Sequence, residues 1–167
     1  KFKKHMQIYL FEADKECIED IKKYNKSASV LPYCILEKNK KVIFNITDDP
    51  HASSIYKIND KFNDYFADNI NYDYTFSKAF KIIKKIELKT FSLNYLHKKN
   101  SIPIPDFLSI DAQGSEYLIL KGADNFLKNN LLGISVEANF IELYKNQATF
   151  DKVDQLLKLN DFILSDM

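Results

Sequence analysis

The sequence predicts an α/β fold whose strands run mostly parallel in one sheet covered by helices on both faces, a three-layer sandwich. Three observations carry that expectation. The apolar run Phe107-Leu108-Ser109-Ile110 ends on an acid, Asp111, and passes through a glycine turn at Gly114 into a helical pattern from Glu116 to about Lys128. The next apolar run, residues 132–136, repeats the form and ends on Glu137. Upstream, further apolar strands alternate with helical patterns. Ligands of open α/β sheets bind at the carboxyl ends of strands, which is where Asp111 stands.

Taken in order, residues 7–11 read as a short strand ending at Glu12. Asp14 caps a helix from about Lys15 to Lys26, with apolar Cys17, Ile18, Ile21 and Tyr24 three to four residues apart. Residues 29–36 form the next strand. A charged turn leads into residues 41–47, where Val42, Phe44 and Ile46 alternate with polar residues, the period of a half-exposed strand. Residues 48–56 form a loop containing Pro50 and the cluster His51-Ala52-Ser53-Ser54. Residues 57–80, rich in Asn, Asp, Tyr and Phe, have weak periodicity and read as a long loop or irregular insertion with some helix. Loops of that length are usually functional or mobile. Its aromatic residues either cover a substrate or pack onto the body. Residues 85–91 form a strand, Ser92 caps a helix over 93–99, and Pro103 and Pro105 mark the approach to the 107–110 strand. Residues 150–159 are an amphipathic helix carrying Phe150, Val153, Leu156 and Leu157, and 161–164 a last short strand. At 167 residues the chain has the length of a single domain, 1–167, with one core.

The composition is that of a soluble globular protein, 46% apolar and 28% charged. A net charge of +1 argues against a nucleic-acid binder driven by bulk charge. The lysine clusters at 1–4, 78–85 and 98–99 read as solvated faces, with the interleaved Phe80, Ile82, Ile83 and Ile86 packed inward. There is no apolar run of about 18 residues, hence no expected membrane span. Cys17 and Cys34 make neither a disulfide framework nor a zinc site. They read as buried thiols in a reducing, cytoplasmic setting, which makes the Asn-x-Ser/Thr triplets at Asn25 and Asn45 chance matches.

The three glycines, at 114, 122 and 133, allow neither a G-x-G-x-x-G nor a Walker-type loop. No G-x-S-x-G elbow exists, which disfavours a Ser-His-Asp hydrolase. His5 and His97 are expected on the surface, whereas His51 stands beside Ser53 and Ser54 in a loop that can reach an active site. Glu12 has two readings: an acceptor for ribose hydroxyls, or a surface acid near a helix N-terminus. Asp111 and Glu137 likewise either handle a proton or cap a helix or pair with a lysine. Gln113, Ser115 and Glu116 surround the turn. Glu116 also suits a helix start by charge, and Gly114 supplies positive φ or close approach.

The order of motifs is more specific than any one of them. Leu10-Phe11-Glu12-Ala13-Asp14 comes first, then Ala52-Ser53-Ser54-Ile55, then the block FLSIDAQGSEYLILKGA at 107–123. Gly133-Ile134-Ser135-Val136-Glu137-Ala138 follows, and the Phe150 helix ends in Asn160-Asp161-Phe162. This succession, from Gln7 to about Leu164, resembles the FkbM family of S-adenosylmethionine-dependent methyltransferases. The resemblance implies a Rossmann-like methyltransferase sheet, S-adenosylmethionine as cofactor, and O-methylation of a hydroxyl on a sugar or secondary metabolite. It implies that Glu12 and the adjoining Ala13 hold the cofactor ribose, that Cys34 and Ile35 lie beside adenine, and that Asp111 is near the transferred methyl. Ser53 and Ser54 match the family's Ser-Ser element. With His51, Gln113, Ser115, Glu116 and Asn139 they form the expected substrate-facing set. The family carries a first strand and an Asp-x-Gly-Ala-Asn-type turn ahead of the Glu12 strand, and this sequence starts after both. The chain is therefore expected to be a fragment of a longer protein, lacking roughly one βα unit of about 30 residues at the centre of the sheet.

Methyl transfer to an alcohol needs positioning and a group that takes the hydroxyl proton. Asp111 is the first candidate and Glu137 the second. Asp111, Glu137 and Asn139 are oxygen donors of the kind a divalent cation takes, but nothing in the sequence fixes their spacing in space, and no metal is expected. The partner is a small-molecule hydroxyl acceptor, with residues 57–80 and 139–147, including Phe140 and Tyr144, as specificity surfaces. The alternative is a non-catalytic methyltransferase-like scaffold or binding module.

Overall fold

The computed structural model of the chain describes residues 6–62, 76–129 and 131–167. It is a mixed α/β structure with three small sheets. In the first, β1 (Ile8–Phe11) runs parallel to β2 (Ala28–Leu31), with Ile8 opposite Ala28 and Phe11 opposite Leu31. The crossover is α1 (Lys15–Tyr24). Asp14 caps it as the sequence predicts, its carboxylate accepting from Glu16 N–H at 3.0 Å.

The predicted strand over 29–36 is divided. Pro32 has no N–H to give a ladder, so β2 stops at Leu31 and a two-residue strand, β3 (Cys34–Ile35), starts a new sheet. β4 (Lys41–Thr47) forms as predicted. A short helix, α2 (Phe76–Ala79), precedes β5 (Ile82–Phe91). β3 is parallel to the end of β5, with Cys34 opposite Thr90, whereas β4 is antiparallel to β5 from Lys41 opposite Lys89 onward. A period of two is the same in either direction, so the alternation in β4 revealed a strand and not its orientation. Ile83, expected to pack inward, is 59% exposed.

In the third sheet β6 (Phe107–Ile110) runs parallel to β7 (Gly133–Val136), with Ile110 opposite Val136. The chain reaches β6 through α3 (Leu93–Lys98), whose cap Ser92 Oγ accepts from Tyr95 N–H. The helix predicted from 116 to 128 is two helices, α4 (Glu116–Lys121) and α5 (Asp124–Asn129). The break falls at Gly122, where a Cβ would lie 2.4 Å from the Leu36 carbonyl oxygen, so the backbone meets the β3 end without a side chain between. The last helix is α6 (Phe150–Lys158). The strand predicted over 161–164 does not form. Instead Asp161 adopts φ +65° and Phe162 N–H bonds the Leu157 carbonyl, closing the helix end.

Among the described residues the β1–β2 and β6–β7 pairs are separate sheets. That corrects the expectation of one mostly parallel sheet between two helical layers. A common core holds the pieces together. Leu93, Leu120, Ala123 and Phe126 are buried in it, and Phe11, Leu31, Ile35, Leu108 and Val136 pack against it from all three sheets. Each large apolar side chain so buried contributes about 1.5–3 kcal/mol. His97 is half-buried rather than on the surface, its ring edge on Phe126 and its Nδ1 3.2 Å from the Ile102 carbonyl. Cys17 and Cys34 are partly buried free thiols. Asn45 is buried, and its Nδ2 donates to the carbonyls of Ser54 and Tyr56. Among the described residues no helix is long and apolar enough to cross a membrane.

Candidate active site

The turn after β6 is organised by one carboxylate. Glu116, 3% exposed at the start of α4, accepts at the same Oε1 from Ala112 N–H (2.9 Å) and Gly114 N–H (3.0 Å). Drawing both N–H groups to one point curls the chain through φ +49° at Gln113 and +96° at Gly114. Glycine suits the second position twice over, because a Cβ there would also lie 3.1 Å from Tyr144 Cδ2. A left-handed non-glycine residue costs about 1–2 kcal/mol, and Gln113 is tied down on several sides. Ser54 Oγ donates to its carbonyl at 2.6 Å, Tyr144 Oη donates to its Oε1 at 2.7 Å, and its own Nε2 donates to Asp111 Oδ1 at 2.9 Å.

β7 brings the second acid alongside. Glu137 N–H donates to the Ile110 carbonyl at 2.9 Å, extending the β6–β7 pairing and setting Glu137 beside Asp111. The two carboxyl groups share a hydrogen bond. That bond, followed by desolvation and the charges of Asp111 and Glu116, pushes Glu137 up to about 7. Glu137 therefore gains and loses its proton near neutral pH, with Asp111 beside it. Burial raises Glu116 above the ordinary carboxyl range, against the pull of its backbone hydrogen bonds. Burial, with the charges of Glu116, Glu137, Asp111 and Asp49, also holds the Tyr144 hydroxyl well above the usual phenol value.

The end of β1 is assembled locally. Glu12 Oε1 accepts from Asp14 N–H at 2.6 Å, and partial burial raises its carboxyl against the pull of that hydrogen bond, with the Asp14 charge adding to the rise. Cys34 lies within electrostatic reach: burial first, then the charge of Glu12, pushes its thiol up to about 11, so it is a neutral, weakly polar group. Ile35 pairs with Phe91 and packs on the core. Ala13 stands in the turn between β1 and α1.

Residues 49–54 link the two acid clusters. Asp49 Oδ1 accepts from His51 N–H and starts the single turn Pro50–Ala52. His51 is exposed, and its charge acts on Glu12. The carbonyl of Ala52, the next residue, lies 3.3 Å from Tyr144 Oη, and Ser54 holds Gln113. Ser53 Oγ accepts from Thr47 N–H at 3.2 Å.

Of the residues expected to face a substrate, His51 is exposed, whereas Ser54, Ser115 and Glu116 are buried. Ser54 and Glu116 use their polar atoms on the turn itself. The Asn139 carbonyl accepts from Phe150 N–H at 2.8 Å. Phe140 is exposed and stacks on Phe150 with centroids 4.8 Å apart. Tyr144, expected beside it as a specificity surface, is 1% exposed and bonded to Gln113, a correction that burial forces. No feature of the sequence around residue 144 signals that contact, because its partner lies 31 residues away. Part of the loop expected over 57–80, residues 63–75, lies outside the described residues. Among the described residues no three His, Cys, Asp or Glu side chains gather as metal ligands.

A family model described as the methyltransferase FkbM domain covers residues 2–164. No curated protein and no solved structure matches the chain. The matched span takes in the β1 end, residues 49–54 and the β6–β7 end within a single family domain. Because it covers nearly the whole sequence, the chain belongs to the FkbM methyltransferase family.

Proposed function

We propose that this methyltransferase uses S-adenosylmethionine and methylates a hydroxyl group of a small molecule, a sugar or a secondary metabolite. One observation carries the reading: two carboxyl groups, Asp111 and Glu137, meet at adjoining strand ends, where the hydrogen bond between them and desolvation push Glu137 up to about 7. A hydroxyl must lose its proton as it is methylated, and a base serves best when its pKa lies near the operating pH. A carboxylate acceptor, already ionised, has no use for such a group.

The residues at the β1 end suit the cofactor chemically. Glu12 is a half-buried carboxylate with one oxygen held by Asp14 N–H, an acceptor of the kind to which ribose hydroxyls donate. Cys34 and Ile35 offer an uncharged edge for a purine ring. When bound, S-adenosylmethionine supplies an electrophilic methyl group. On this reading Glu12 and Ala13 hold the ribose, Cys34 and Ile35 flank adenine, and His51 contacts the acceptor. The Asp111–Glu137 pair orients the acceptor hydroxyl and takes up its proton.

The test joins titration calorimetry with product analysis. S-adenosylmethionine is expected to bind, and Glu12→Ala to weaken it by about 10–100-fold, the worth of a hydrogen bond to a charged group. Unchanged affinity would remove Glu12 from the cofactor site. Labelled methyl groups are expected on sugar and phenol hydroxyls from an acceptor panel. Transfer confined to amines or carboxylates would overturn O-methylation.

A further inference from the structure

Tyr144 is too deeply buried to touch a substrate, yet its hydroxyl is two hydrogen bonds from Asp111. The phenol carries one proton and has two acceptors in reach, Gln113 Oε1 at 2.7 Å and the Ala52 carbonyl at 3.3 Å. The shorter contact takes the proton. A side-chain amide has one acceptor end and one donor end, so donation from Tyr144 to Oε1 turns Nε2 toward Asp111, which accepts at Oδ1 (2.9 Å). The backbone of Gln113 cannot drift to relax this arrangement. Its carbonyl is held by Ser54 Oγ, and the residues on either side are held by Glu116.

The electrostatic setting gives that dipole a task. The charged groups that act on the Tyr144 hydroxyl are acids: Glu116 from the start of α4, Glu137 after β7, Asp111 after β6, and Asp49. Among the described residues no lysine or histidine forms an ion pair with Asp111. A neutral donor of fixed polarity is therefore the side-chain partner that exposed Asp111 has besides Glu137, and the half of the chain behind it, from buried Tyr144 to Gln113, is shielded from solvent, where hydrogen bonds in series strengthen one another.

We infer that Tyr144 is a positioning residue for methyl transfer, acting through Gln113 to keep Asp111 as the proton-accepting member of the Asp111–Glu137 pair. The inference rests on the proposed role of that pair. Without the Tyr144 hydroxyl the amide is free to turn its Oε1 toward Asp111, and the carboxylate loses the donor that now faces it. The pair then becomes harder to ionise.

The experiment is a carboxyl 13C NMR titration of the cofactor-free protein, comparing wild type, Tyr144→Phe, Gln113→Leu and the double variant. Tyr144→Phe keeps the ring that packs against Gly114. It is expected to raise the pair's apparent pKa by about half a unit or more, roughly threefold in the proton-binding constant. Adding it to Gln113→Leu is expected to change nothing further, because Tyr144 acts through Gln113. A pair that titrates as in wild type, or two shifts that simply add, overturns the inference. Should Tyr144→Phe fail to fold, the Gln113 side-chain 15N resonance of the wild type must follow the carboxyl titration, and an amide flat across it also overturns the inference. No cofactor is present, so a protein that methylates no hydroxyl leaves this result readable, and an unmoved pair leaves the O-methylation reading standing.

Discussion

Glu12 at the end of β1 and Asp111 at the end of β6 occupy equivalent places on two parallel strand pairs, yet they are held differently. Glu12 is fixed by the N–H of Asp14, two residues on, at the head of a helix that Asp14 itself caps. Asp111 is fixed by Gln113, and Gln113 by Tyr144 from 31 residues downstream and Ser54 from 59 residues upstream. The first arrangement forms wherever the strand and helix form. The second exists only when three segments of the chain have packed together. In the proposed function a cofactor-facing carboxylate needs an orientation. A proton-handling one also needs a surrounding field, which short-range chain geometry does not supply.

The comparison breaks most visibly at Glu116. Glu116→Ala strips the acceptor from one buried and one partly buried N–H group at about 1–3 kcal/mol each. Urea unfolding is expected to show a loss of about 2–4 kcal/mol. Glu116→Gln keeps an acceptor oxygen and is expected to lose less than half as much. Equal losses would mean that the charge, not the acceptor, holds the turn.

On the β1 side the corresponding change is smaller. Asp14→Ala removes one cap bond and is expected to lower the same unfolding free energy by about 1 kcal/mol. A loss as large as that of Glu116→Ala would show that the β1 end is as dependent on tertiary packing as the β6 end.

The smallest effect is one of pH. Glu137 is raised from 4.5 to about 7 in the folded protein, so between those values the folded state binds more protons than the unfolded chain. Stability is then full below the ordinary carboxyl pKa and falls as pH rises through about 7. Because Glu137 is exposed, solvent screens the effect, and a slope rather than a collapse is expected. Glu137→Gln should flatten the melting temperature over that interval and raise it relative to wild type on the alkaline side. A wild-type melting temperature that instead climbs through the interval would contradict the raised Glu137 carboxyl.

The misread elements follow the same division. The strand over 29–36 is cut by Pro32, a local rule masked by apolar residues on both sides. The helix over 116–128 is cut at Gly122 because the backbone there touches Leu36, a contact no helical periodicity displays. The family resemblance pointed to a Ser-Ser element but not to what it does. The structure ties Ser53 to Thr47 and Ser54 to Gln113, across 59 residues.

What the sequence by itself determined lies within a few residues of its cause: the acids that end β1, β6 and β7, the Asp14 and Ser92 caps, the positive φ at Gly114, and the alternation of β4. Each follows from backbone sterics, side-chain reach or periodicity, which act along the chain. The antiparallel turn of β4 onto β5, the separation of the sheets, the burial of Tyr144 and the meeting of Asp111 and Glu137 were decided only in the tertiary structure. They depend on which surfaces meet and how much water leaves between them. Such contacts, made by residues far apart in sequence, leave no period or motif to read.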